Sequence, residues 1–169
     1  MSKIPVFVSC PTLLNDEQKN YNEFVNSLLS DFGLERRALG LSDYPVENPL
    51  KEIYVLAKHC AGGLILGFEQ SWVEKGIIKR GTDKEKHISE PYSLPTPWND
   101  IEAGILFALR LPILIFKEQG VKGGIFDLGS SEYFINELPR DISSEDAKQI
   151  IKQVFSKWAG KVIETYHSW

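Results

Sequence analysis

Cysteine, methionine and histidine are all scarce in this chain, with two, one and three residues among 169. Two cysteines, Cys10 and Cys60, make no disulfide framework, and each reads as a reduced thiol at the edge of a buried strand or helix. His59, His87 and His167 stand far apart without ligand spacing, which argues against a zinc site. No apolar run approaches the roughly 20 residues needed to span a bilayer. The N-terminus leads into a short apolar stretch that lacks the long core and small-residue cleavage site of a secretory signal, so a cytoplasmic protein is expected. A basic excess is missing as well: the net charge is −4, which argues against duplex nucleic acid as a partner. Gly120 to Gly124 lack the G-x-G-x-x-G order, so the dinucleotide fingerprint is absent and a plain turn is the simpler reading. No cofactor is called for by any motif.

What is present is globular, with 43% hydrophobic and 11% aromatic residues. Apolar runs alternate with amphipathic segments. Pro5 to Cys10 reads as a buried first strand, closed by Pro11. Asn15 or Asp16 caps a helix through Phe32 with Tyr21, Phe24, Val25, Leu28 and Leu29 on one stripe, and Gly33 suits its left-handed end. Leu34 to Leu39 is a less apolar strand, nearer an edge. A second helix starts near Asn48-Pro49 with Leu50, Ile53, Ala57 and Cys60 inward and Gly62-Gly63 at its end; Leu64 to Phe68 is the third strand. Trp98 to Leu109 reads as a helix, Pro112 to Phe116 as a strand, and the segment from about Ser143 as a last helix with Ala147, Ile150, Ile151, Val154, Phe155, Trp158 and Val162 on one side. This order predicts a single α/β domain, Rossmann-like or flavodoxin-like, with a mostly parallel sheet of four or five strands and helices on both faces.

Residues 71–97 break the pattern. They carry ten charged residues or histidines and five prolines or glycines, which predicts a long, weakly ordered loop serving as a lid. Ligands of such sheets bind beyond the carboxyl ends of the strands, where strand order reverses. That rule selects Ser9 to Thr12, Gly40 to Pro45, Gly67 to the insertion with Pro95 to Glu102, and Glu118 to Asp127.

Glu102 is the leading catalytic candidate. A carboxylate in the first two turns of a helix points to the crevice, and the helix N-terminus favours its ionised form. An ionised carboxylate can attack, or stabilise positive charge at, a sugar's anomeric carbon. The competing reading is a capping box, with Asn99 as cap and Glu102 reaching back to it. Pro97 at the first helical position would instead make Thr96 the cap and free Glu102.

The run from Glu102-Ala103-Gly104 through Pro112-Ile113-Leu114 resembles the Glu-x-Gly helix and following strand of nucleoside 2-deoxyribosyltransferases. Phe7-Val8-Ser9-Cys10-Pro11 is similar to that family's opening strand and loop. TIR domains are similar too, through the Thr96-Pro97-Trp98 segment before the helical glutamate. The resemblance implies that Glu102 attacks the anomeric carbon of a nucleoside, nucleotide or NAD, and that the protein self-associates into a homo-oligomer. The family's Asp-Ser-Gly-Thr-like stretch is replaced here by Pro95 to Asn99. The base-holding group is therefore open among Asp43, Glu69, Asn99 and Asp127.

Other residues have two readings each. Tyr44 beside Asp43 could stack on a base, or the loop is an ordinary turn. Glu69 after Phe68 could hold ribose hydroxyls, or it is a solvated charge. Trp72 and Trp98 are pocket walls or core under the insertion. Cys10 reads as packing. The aromatic stretch from Trp158 to Trp169 hints at an interface. Substrate-side candidates are thus Ser9, Pro11, Asp43, Tyr44, Phe68, Glu69, Trp98, Asn99 and Asp127. The functional expectation is an N-glycosidic transferase or hydrolase; the alternative is a non-catalytic nucleotide-sensing or partner-binding subunit, as in a bacterial signalling or defence system.

Overall fold

The computed structural model describes residues 3–39, 48–127 and 135–168. Alternation within the apolar runs organises them. In β1 (Ile4–Ser9), Val6 and Val8 face one way and Phe7 the other. β3 (Gly63–Gly67) and β8 (Ile113–Lys117) split likewise, with Leu64, Leu66, Leu114 and Phe116 on the first face and Ile65, Ile113 and Ile115 on the second. Strands with two apolar faces need a layer on each side.

The first face is covered by α1 (Asp16–Asp31) and α4 (Glu145–His167), through Val25, Leu28, Leu29, Phe155 and Val162. The second is covered by α2 (Pro49–Lys58) and α3 (Pro97–Ala108), through Ile53, Ala57, Ala103 and Leu106. Each such fully buried side chain contributes about 1.5–3 kcal/mol. With β2 (Leu34–Arg37) and β9 (Ile135–Glu137), the sheet has five strands in the order β2-β1-β3-β8-β9, and every pairing is parallel. The Rossmann-like α/β expectation holds, and β2 lies at an edge. Strand order reverses between β1 and β3.

The helix starts follow their caps. Asn15 and Gln18 form a reciprocal capping box on α1, Asn48 precedes Pro49 on α2, and Ser144 caps α4. Gly33 takes the left-handed conformation at φ 69° after α1. Four details differ from the sequence expectation. Leu50 and Ile150 are 48% and 64% exposed, because each sits at the margin of its helix's apolar stripe. α2 stops at Lys58, and Gly63 already belongs to β3. Trp158 belongs to the core rather than an interface, with Nε1 donating to the Pro112 carbonyl at 3.0 Å.

The insertion is a ribbon. β4 (Ser71–Val73) pairs antiparallel with β7 (Tyr92–Leu94), and β5 (Ile77–Ile78) with β6 (Lys86–His87). Its charge suits strands such as β5 and β6, which are exposed on both faces and carry no periodic apolar signal. Ser93 ties it to the loop after β8, donating its N–H to Gly120 and accepting from Lys122 N.

β3 has room for its neighbours only because of glycine. A Cβ on Gly63 would lie 2.5 Å from Leu106 Cδ1, and one on Gly67 would collide with the Phe126 ring. We therefore expect Gly67→Ala to lose about 1–3 kcal/mol through overpacking, read as a lower urea midpoint at unchanged slope. An unchanged midpoint would show that the ring yields freely.

Candidate functional site

At the reversal point, β1 ends with Ser9 and the chain turns through Cys10, Pro11 and Thr12. These residues form one wall of a cleft of about 310 Å³. Leu39 beyond β2, Pro49 and Ile53 of α2, and Gln70 beyond β3 line it further. The last side is α3, which contributes Thr96, Trp98 and Glu102.

The start of α3 decides what Glu102 can do. Thr96 is the cap, with its hydroxyl accepting from Trp98 N, and Pro97 takes the first helical position. The capping box on Asn99 is not formed. Asn99 is instead fully buried, and its Nδ2 donates to Ser9 Oγ at 2.7 Å. Asn99 and Glu102 are three residues apart and so share a helix face. Ser9 Oγ accepts from Asn99 and stands beside the Glu102 carboxyl, which it draws toward the ionised form.

Burial pushes the Glu102 carboxyl up to about 7, against a smaller lowering by the Ser9 hydrogen bond. The rise from the ordinary 4.5 corresponds to about 3 kcal/mol. A helix N-terminus contributes about 0.3–1 kcal/mol in the opposite sense, mainly within the first turn, so desolvation wins over the dipole. Cys10 shows the same balance: burial raises its thiol, against the lowering by Arg36, while the nearby Glu102 raises it further. Its thiol therefore stays protonated at neutral pH and is no nucleophile. Arg36 reaches α1, where its Nη1 donates to Asn22 and Asn26 at 2.6 and 2.9 Å.

Of the sequence candidates, Ser9, Pro11, Trp98 and Glu102 share this cleft, with Asn99 buried directly behind Ser9. Trp98 is 43% exposed and Trp72 61%, so neither is core. Phe68 is fully buried on the α1/α4 face and cannot reach a ligand. Glu69 turns away, accepting the Ser93 hydroxyl and lining a different cleft, and Gln70 takes its place. Asp127 accepts Gly123 N at 2.8 Å, closing its own loop outside the cleft. Asp43 and Tyr44 lie outside the described residues. The ribbon contributes to the cleft only through its roots, Gln70 and Thr96; none of residues 71–95 lines it, so the lid reading fails. Thr12 and Gln70 fall in the segments that the strand-end rule selects, whereas Leu39 and Ile53 were not anticipated, Ile53 because it reads from its spacing as a core residue of α2.

Among the described residues no group of three or more His, Cys, Asp or Glu side chains could hold a metal ion. No helix among them is long and apolar enough to cross a membrane. The fold and cleft define a Rossmann-like α/β protein whose main sheet is parallel, with a half-buried carboxyl group at its strand-order reversal. No protein-family model matches the chain, and none of the curated proteins matches it.

The raised Glu102 carboxyl has a consequence for stability. The unfolded chain releases this proton near 4.5 and the native protein only near 7, so between them the native state binds more protons. Stability is then lost as pH rises through that window. Glu102→Gln removes the effect, and we expect it to be more stable than the parent by about 1–3 kcal/mol at about pH 8, with the difference gone by about pH 4. Denaturant melts at the two pH values measure it, and a pH-independent difference would contradict the burial of the charge.

Proposed function

We propose that this protein cleaves or transfers the N-glycosidic bond of a nucleoside, nucleotide or NAD, with Glu102 as the nucleophile. The observation that carries the reading is the Asn99–Ser9–Glu102 chain at the mouth of the switch-point cleft. It holds one carboxyl group in a fixed orientation, in surroundings dry enough to strengthen its pull on positive charge. The similarity of the Glu102-Ala103-Gly104 segment to the transferase helix supports the same role.

In this mechanism the ionised Glu102 attacks the anomeric carbon, and the electron pair of the C–N bond leaves with the base. A nicotinamide leaves neutral from its cationic glycoside; other bases take a proton from solvent. The resulting glycosyl ester is then attacked by water or by a second base, which frees the carboxylate and releases one proton to solvent. Ser9 steadies the carboxylate throughout, and Trp98 offers a ring at the cleft wall for stacking. Self-association, which the transferase resemblance implies, belongs to the same reading.

The test is mass spectrometry of NAD and nucleosides incubated with the parent and with Glu102→Gln. Turnover in the parent and its loss, by about a thousandfold or more, in the nearly isosteric variant is the expected result. Turnover retained in the variant would overturn the assignment. Because the carboxylate must be ionised, the parent's rate should climb with pH and level off above about 7. A second reading, a nucleotide sensor without turnover, is favoured by the proton that Glu102 keeps near neutral pH. Saturable binding without products would select it.

A further inference from the structure

A second cleft opens on the carboxyl side of the sheet and shares no residue with the first. It measures about 350 Å³ and brings together Glu17 and Tyr21 of α1, Glu69 beyond β3 and Glu118 beyond β8. Leu138 and Pro139 supply an apolar wall.

Three observations bear on what it takes. First, among the described residues none of the three carboxylates is ion-paired. Arg140, the cation at the rim, turns its Nε to Gln119 Oε1 at 2.8 Å instead. Second, Glu118 is held rather than solvated: its Oε2 accepts from Gln18 Nε2 at 3.0 Å and from Glu69 N at 2.5 Å, which leaves Oε1 without a partner among the described residues. Burial lifts its carboxyl above the ordinary range against those two bonds, and the charges of Glu69 and Glu17 lift it further. Third, Tyr21 lines the cleft but is 2% exposed, its ring packs into the core, and its buried hydroxyl has no hydrogen-bond partner among the described residues. A buried hydroxyl without a partner requires an explanation, and a ligand group is one. The oxygen sits near Glu17 and Glu118, whose charges help burial push the phenol up to about 12, so it remains a neutral donor-acceptor.

We propose that this cleft binds a small organic cation, a primary ammonium or guanidinium ion whose N–H groups bond the Glu118 carboxylate and the Tyr21 hydroxyl while its carbon chain lies along Leu138 and Pro139. An N–H-bearing head satisfies both free acceptors at once, and Glu17 and Glu69 add attraction from the rim. A divalent metal fits poorly, because these carboxylates do not converge as metal ligands. The site stands independently of the reading given to Glu102.

Calorimetric titration of the full chain with n-butylammonium and n-butylguanidinium tests it, with tetramethylammonium and magnesium as comparison ions. The two monocations should bind one per chain, and tetramethylammonium, equally charged but without N–H, about tenfold more weakly or not at all. Glu118→Gln should lose about tenfold or more in affinity, and Tyr21→Phe, which deletes one oxygen and leaves the ring, about five- to tenfold. If Glu118→Gln does not fold, Tyr21→Phe alone decides. No saturable binding of the two monocations at millimolar concentration, equal binding of tetramethylammonium or magnesium, or unchanged affinity in Tyr21→Phe would each overturn the proposal.

Discussion

The seating of α3 on β3 is the constraint from which the rest of the cleft follows. Gly63 and Gly67 alternate with Ile65 on one face of the central strand, and the space they leave is filled by Leu106 and Phe126. Close packing of this kind has few alternative solutions, since a single added methylene is felt. It brings the first turns of α3 over the end of β1, where Asn99 meets Ser9 across 90 positions of sequence at 2.7 Å. Asp100, on the same turn, accepts Ile125 N at 2.9 Å and so ties the loop after β8 to the helix. The polar site is in this sense a product of apolar packing beneath it.

A parallel sheet collects the ends of all its strands on one rim, and that rim is where this protein concentrates its buried polar groups. Glu102 and Glu118 both lie there and both are raised by burial, yet their surroundings differ. Glu102 has the Ser9 hydroxyl as its hydrogen-bonding neighbour and stands as the one carboxyl group lining its cleft among the described residues. Glu118 is gripped by Gln18 and the Glu69 backbone and shares its cleft with two more carboxylates. One environment isolates a reactive group; the other gathers negative charge. Lys117, at the end of β8, is excluded from both roles because its Nζ donates to the Val121 and Phe126 carbonyls at 3.0 and 3.2 Å.

Legibility in the sequence followed the range of the interactions. Caps are local, so Asn15 and Asn48-Pro49 could be recognised from neighbouring residues alone, whereas at α3 those residues offered both Thr96 and Asn99 and the fold settled on Thr96. The ribbon was missed because short strands such as β5 and β6 are exposed on both faces and so show no periodic apolar residues. Phe68 and Glu69 were misplaced by one or two positions. Strand alternation carries Phe68 onto the α1/α4 face, and it is Gln70 that reaches the cleft.

By itself the sequence determined the class of fold, the positions of the helix starts and the candidacy of Glu102, because each depends on patterning within a dozen residues. Only the tertiary structure decided that Asn99 supports Ser9, that Arg36 stands beside Cys10, and that burial outweighs the helix dipole at Glu102. Those outcomes depend on strand register and on how far water is excluded. Both are properties of elements distant in sequence that meet only when the sheet and its helices close together.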